Sequence, residues 1–97
     1  MSLWKNFNDV TPSGVEFTSS LSKLYEGQSV TTILECHTKD GSPAISMKLY
    51  KNDELIQEVN NTDSFTIEQA VDSTTDFKVI AQHYSYTYEE KIHIPMV

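Results

Sequence analysis

Apolar side chains in this chain recur at every second position, and no helix-length stretch keeps the i, i+3, i+4, i+7 spacing of an amphipathic helix. Val30, Thr32, Leu34 and Cys36 share one face of an extended segment running to Thr38. Ile45, Met47 and Leu49 alternate with Ser46, Lys48 and Tyr50. Phe65 and Ile67 alternate with Thr66 and Glu68, and Phe77, Val79 and Ala81 with Lys78, Ile80 and Gln82. Shorter extended pieces lie at Val15-Glu16-Phe17, from Leu55 to Val59, and at Ile92 and Ile94 before Pro95, which cannot donate to a ladder. Between them stand polar turn clusters: Gly27-Gln28-Ser29, Lys39-Asp40-Gly41-Ser42-Pro43, Asn52-Asp53, the run from Asn60 to Ser64, and the run from Asp72 to Asp76, which has room for one helical turn. The pattern predicts about seven or eight half-buried strands. Two antiparallel sheets packed face to face bury such strands, so the fold class is an all-β sandwich.

With 97 residues the chain makes one domain. That domain is expected over 15–97, after an N-terminal extension or tag remnant over 1–14. A chain of this size buries roughly 60–65% of its unfolded surface, so it builds one modest core, and an active-site cleft would have to be cut from it. The net charge is −7 and all seven basic residues are Lys. This disfavours nucleic acid and anionic membranes as partners, because both attract positive surfaces. No apolar run approaches the ~18 residues that cross a bilayer, and Met1-Ser2-Leu3-Trp4-Lys5-Asn6 lacks a signal-peptide core. The lone Cys36 has no internal disulfide partner.

Several segments, in order, resemble an immunoglobulin domain of the intermediate set. Glu26-Gly27-Gln28-Ser29-Val30 leading to Leu34-Glu35-Cys36 is similar to the start of strand B. The stretch Leu49-Tyr50-Lys51-Asn52-Asp53-Glu54-Leu55-Ile56 is similar to the C-strand segment, Phe65-Thr66-Ile67-Glu68-Gln69-Ala70 to strand E, and Phe77-Lys78-Val79-Ile80-Ala81 to strand F. The resemblance covers about residues 15–94 and implies an immunoglobulin-like two-sheet antiparallel sandwich. The chain departs from the family at three marked places: Leu49 stands at the core Trp position, Val79 at the second Cys and Phe77 at the corner Tyr.

Candidate chemistry is sparse. Cys36 and His37 are neighbours on a strand, so their side chains point to opposite faces, and Cys36 reads as a buried thiol opposite Val79. His37, His83 and His93 lack the local spacing of a metal site and read as surface or edge residues, His83 on the Val79 and Ala81 side near the sandwich end. Asp72, Asp76, Glu89 and Glu90 lack a calcium-loop pattern. There is no Gly-x-Ser-x-Gly elbow. No catalytic, metal or cofactor-binding residue is assigned, and no enzyme is expected. Asn60-Asn61-Thr62 is a glycosylation acceptor pattern at Asn60. The outward parity of Tyr50, Ile80 and Tyr84, with Tyr86 and Tyr88 on the adjoining hairpin, marks either a protein-binding face or cross-strand aromatic pairs worth ~0.2–1 kcal/mol each.

The reading from sequence is therefore a non-catalytic immunoglobulin-like module of a larger protein. It would serve protein–protein contact, adhesion or spacing, with another protein or another copy as partner and a cell or virion surface ahead as its location. Two alternatives stand beside it: an intracellular scaffold domain of the sarcomere or cytoskeleton type, and a small β-fold enzyme or ligand carrier.

Overall fold

A computed structural model describes residues 14–97 except Ser42 and Ser85. The expected extension over 1–14 lies, apart from Gly14, outside the described residues. Seven strands follow one another: β1 (Val15–Ser19), β2 (Val30–Thr38), β3 (Ala44–Lys51), β4 (Glu54–Thr62), β5 (Ser64–Val71), β6 (Thr75–His83) and β7 (Tyr86–Ile94). No helix occurs among the described residues, so the run from Asp72 to Asp76 is a turn without a helical segment. The strands form a three-stranded sheet, β1-β2-β5, and a four-stranded sheet, β4-β3-β6-β7, with every pair antiparallel. The fold is an all-β two-sheet sandwich, as the alternation predicts.

The turn residues explain the hairpins. Asn52 and Asp53 both adopt positive φ (49° and 67°), the geometry of a two-residue type I′ turn that Asn and Asp tolerate, and so β3 runs directly into β4. Leu49 then pairs with Gln57 and Tyr50 with Leu55, so Ile56 is an extra residue that bulges β4. One parity differs from expectation. Ala44 meets the core at the start of β3, on the lining of the crevice at that end of the sandwich, while Ile45 is 44% exposed.

Two clusters make up the core. At one end Leu24, Leu34, Leu49, Val71, Phe77 and Ile94 pack together. At the other sit Val15, Cys36, Ala44, Met47, Val79 and Ala81. Phe17 and Phe65 touch both. The first end is closed by main chain: Leu24 N–H donates to the Pro95 carbonyl at 2.9 Å and Val97 N–H to the Leu24 carbonyl at 2.7 Å, making an isolated parallel bridge between Leu24 and Met96. The second end carries the features with chemical potential.

Candidate functional site

Cys36 leaves the alternation of β2 pointing inward and is 1% exposed, in the same cluster as Val79. Burial, with the negative charge of Glu90 adding to it, pushes its thiol up to about 12. A thiol in that state is not a nucleophile at neutral pH, because the thiolate is the reactive form.

The site with unmet chemistry lies at the open end of the sandwich. β6 runs Val79, Ala81, His83 along its inward face, so His83 is carried into the gap between the sheets and is 7% exposed. The expectation of a surface or edge histidine is corrected here: Tyr84 turns the chain at φ 56° immediately after His83, and its ring stands edge-on to the imidazole with centroids 5.2 Å apart. β2 ends on its inward face with Thr38, 6% exposed. Thr38 N–H donates to the Asp63 carbonyl at 2.8 Å and Lys39 N–H to the Gly14 carbonyl at 3.0 Å, which pins this end of β2 beneath the start of β1. Gly14 sits at φ 94° with the Tyr88 ring 3.5 Å from where a Cβ would stand, so the chain passes close over that ring.

Together Gly14, Val15, Thr38, Asp40, Ala44, Ala81, His83 and Tyr88 line a crevice of about 200 Å³. It has volume but is nowhere wide enough for a water molecule. Among the described residues three buried polar atoms, Thr38 Oγ1, His83 Nδ1 and His83 Nε2, have no hydrogen-bond partner. Each such group costs about 1–3 kcal/mol relative to its hydrated state. In its neutral form an imidazole offers one donor and one acceptor, and a hydroxyl offers both. Thr38 and His83 thus line one small space beside the apolar side chains of Val15, Ala44 and Ala81.

The other candidates are solvated. On the outer face of the four-stranded sheet Tyr50 pairs across from Lys78, whose ammonium stands 5.0 Å over its ring, and Ile80 pairs between Lys48 and Glu89. The Gln82–Thr87 row separates them from Tyr84, which is 75% exposed in the turn, and from Tyr86, which stacks on Tyr88 with centroids 6.5 Å apart. The structure thus brings Tyr50 and Ile80 onto one face, sets Tyr84 in the turn beyond it, and places Tyr86 on the opposite face, across from His83 and beside Tyr88. Asn60 is exposed on β4 opposite Ser46. His93 Nδ1 lies 2.5 Å from Asp76 Oδ1 in an open groove with Lys78, Lys91 and Asp53. Among the described residues no group of three His, Cys, Asp or Glu side chains converges as a metal site. His83 was findable in sequence by its parity with Val79 and Ala81. Thr38 carried no signal beyond its place at a strand end.

Comparison with known proteins yields a shape and no family. No protein-family model and no curated protein matches the chain. The solved structure of the sulfur carrier protein SoxY from Chlorobium limicola f thiosulfatophilum is similar over 99% of this chain and 93% of that one, with a TM-score of 0.70 at 8% sequence identity. This corrects the expectation of an immunoglobulin module for adhesion, contact or spacing at a surface. The solved structure whose sandwich this chain follows along almost its whole length is that of a sulfur carrier protein and not of an immunoglobulin module, and no family model matches.

Proposed function

We propose that this protein is a small non-catalytic carrier that holds its cargo non-covalently in the crevice between Thr38 and His83. The observation that carries the reading is that Thr38 and His83 line one narrow crevice while three buried polar atoms of their side chains have no hydrogen-bond partner among the described residues. Buried polar groups are almost always satisfied, and exceptions call for a reason. A ligand that pairs with these atoms supplies one. The likeness of the fold to a sulfur carrier supports the carrier class. Cys36 does not fit a covalent cargo, since its thiol is buried and its proton is held up to about 12.

The chemistry of the lining narrows the cargo. Thr38 and His83 together ask for a molecule with both donors and acceptors, and the Asp40 carboxylate on the lining disfavours an anion. A small uncharged compound such as a primary amide, urea or short polyol meets these demands. Entry requires the crevice to widen, since in its closed form it is too narrow for a water molecule.

The topology also supports an immunoglobulin-like relation among the strands. β2 lies between β1 and β5, and β6 between β3 and β7, as B lies between A and E and F between C and G. The fourth strand stays beside β3, whereas the constant-type domain places a strand beside E.

The test is a thermal-unfolding screen of the whole chain against acetamide, ethylene glycol and their close analogues. A ligand of the native state raises the transition temperature with concentration. The reading expects such a rise for at least one compound, abolished in His83→Leu. A rise that persists unchanged in His83→Leu, or none with any compound, overturns it.

A further inference from the structure

The four edge strands of the sandwich are unequally guarded. β1 is five residues long. β4 is bulged at Ile56 and carries Glu54 and Glu58. β7 carries Glu89, Glu90 and Lys91 in succession. Bulges, charges and shortness are the usual devices that keep an edge from pairing. β5 is the least guarded: it is eight residues long, SFTIEQAV, with no bulge and a single charged side chain, Glu68. In a constant-type immunoglobulin domain a further strand would lie beside it. Here β4 has gone to the other sheet.

The hydrogen bonds of β5 show which groups face outward. In an antiparallel ladder, alternate residues turn both their N–H and C=O away from the paired strand. Lys51 Nζ donates to the Ala70 carbonyl at 2.8 Å, and Thr62 Oγ1 donates to the Ser64 carbonyl at 2.9 Å while accepting from Ser64 N–H at 3.3 Å. Ser64 and Ala70 are therefore outward residues, and by alternation so are Thr66 and Glu68. Side chains cover both ends of the edge and leave its centre bare. The side chains beside that centre point two ways. Inward, Phe65 and Ile67 are only half-buried, as are Ile56 and Val59 of the facing sheet. Outward stand Glu68, Glu35 on β2 and Glu16 on β1, with no Lys on that face of the three strands.

We propose that the Thr66–Glu68 stretch of β5 accepts an added strand from a partner protein, an extended segment with Lys or Arg on its outer side and aliphatic residues on its inner side. Thr66 and Glu68 each exchange N–H and C=O with the incoming strand, its basic side chains meet Glu68 and Glu35, and its aliphatic ones cover Phe65, Ile67, Ile56 and Val59. This is strand addition, in which main-chain bonds give affinity and alternate side chains give selectivity. A second copy fits less well. A two-fold axis at Ile67 would set Thr66 opposite Glu68 of the other chain and bring Glu35 and Glu68 of two chains of charge −7 together. The proposal is independent of the cargo reading.

The test uses the full chain with two synthetic peptides, Lys-Val-Lys-Ile-Lys-Val-Lys and Glu-Val-Glu-Ile-Glu-Val-Glu, followed by amide hydrogen exchange. The basic peptide is expected to slow exchange at Thr66 and Glu68 by ~tenfold or more, with an effect that weakens as salt is added, and the acidic peptide to do nothing. Thr66→Pro removes an outward N–H without touching the β2 ladder and is expected to abolish the protection. Glu68→Lys, an exposed substitution, is expected to weaken it. Unchanged exchange with both peptides overturns the proposal. So does protection that survives in Thr66→Pro or is undiminished in Glu68→Lys, and so does protection in the free chain accompanied by sedimentation as a dimer, which assigns the edge to a second copy.

Discussion

The two ends of this sandwich are built from different side chains and have different properties. At the sealed end Leu24, Leu34, Leu49, Val71, Phe77 and Ile94 interdigitate, and the main chain of Leu24 bonds to Pro95 and Val97 across the opening. At the crevice end the buried side chains are individually smaller: Val15, Cys36, Ala44, Met47, Val79 and Ala81. Two alanines, Ala44 and Ala81, line the crevice there, and into it β6 and β2 deliver His83 and Thr38. One end uses volume to hold the sheets together. The other gives up volume and keeps polar atoms that the protein itself does not satisfy. Such local departures from good packing concentrate where a protein binds something.

Substitutions can break this comparison. The largest effect belongs to the sealed end, where Phe77→Ala is expected to cost about 3–5 kcal/mol in urea unfolding, because a fully buried ring leaves a cavity its neighbours cannot fill. Cys36→Ala, at the looser end, is expected to cost only ~1 kcal/mol, through lost contact and a small cavity. The same cysteine gives a pH signature. Its thiol ionises near 9.0 when free and about 12 when folded, so it stays protonated in the native state while the unfolded chain ionises. The stability it contributes is complete below about pH 9 and declines as pH rises toward 12. Cys36→Ser is expected to flatten that decline, measured as unfolding free energy against pH.

At the crevice itself the sign reverses. His83→Leu removes two unpartnered polar atoms from a buried position and is expected to raise stability by ~1 kcal/mol. A gain there, beside a loss at Phe77, would show that the two ends are organised for different purposes. The smallest effect is at the outer tyrosines: Tyr84→Ala, in an exposed turn, is expected to change stability by no more than ~0.5 kcal/mol by thermal unfolding.

Much of the fold was legible because strand alternation reports burial directly. β2 and β6 alternate without interruption, and Thr32, Leu34, Cys36, Val79 and Ala81 fall inward as read. The start of β3 misleads, since Ile45 is the more apolar residue yet Ala44 is buried: position at the mouth outweighs hydrophobicity there. Leu24 is fully buried without belonging to any strand, because only the parallel bridge to Met96 brings it in, and such a long-range contact leaves no local pattern. The candidate site was half legible. Parity placed His83 beside Val79 and Ala81, but the depth of the crevice depends on the small residues opposite, which belong to distant segments. The free edge of β5 could not be read at all, since it follows from the sheet that β4 joins.

The central claim, that the Thr38–His83 crevice takes a small uncharged ligand, is tested most directly by nuclear magnetic resonance of the His83 ring and the Thr38 methyl group during titration with acetamide and urea. The account predicts saturable shifts at both residues, with signals from Phe77 and Leu49 at the sealed end unmoved. Shifts that never saturate, or that spread equally over both ends of the sandwich, would contradict it.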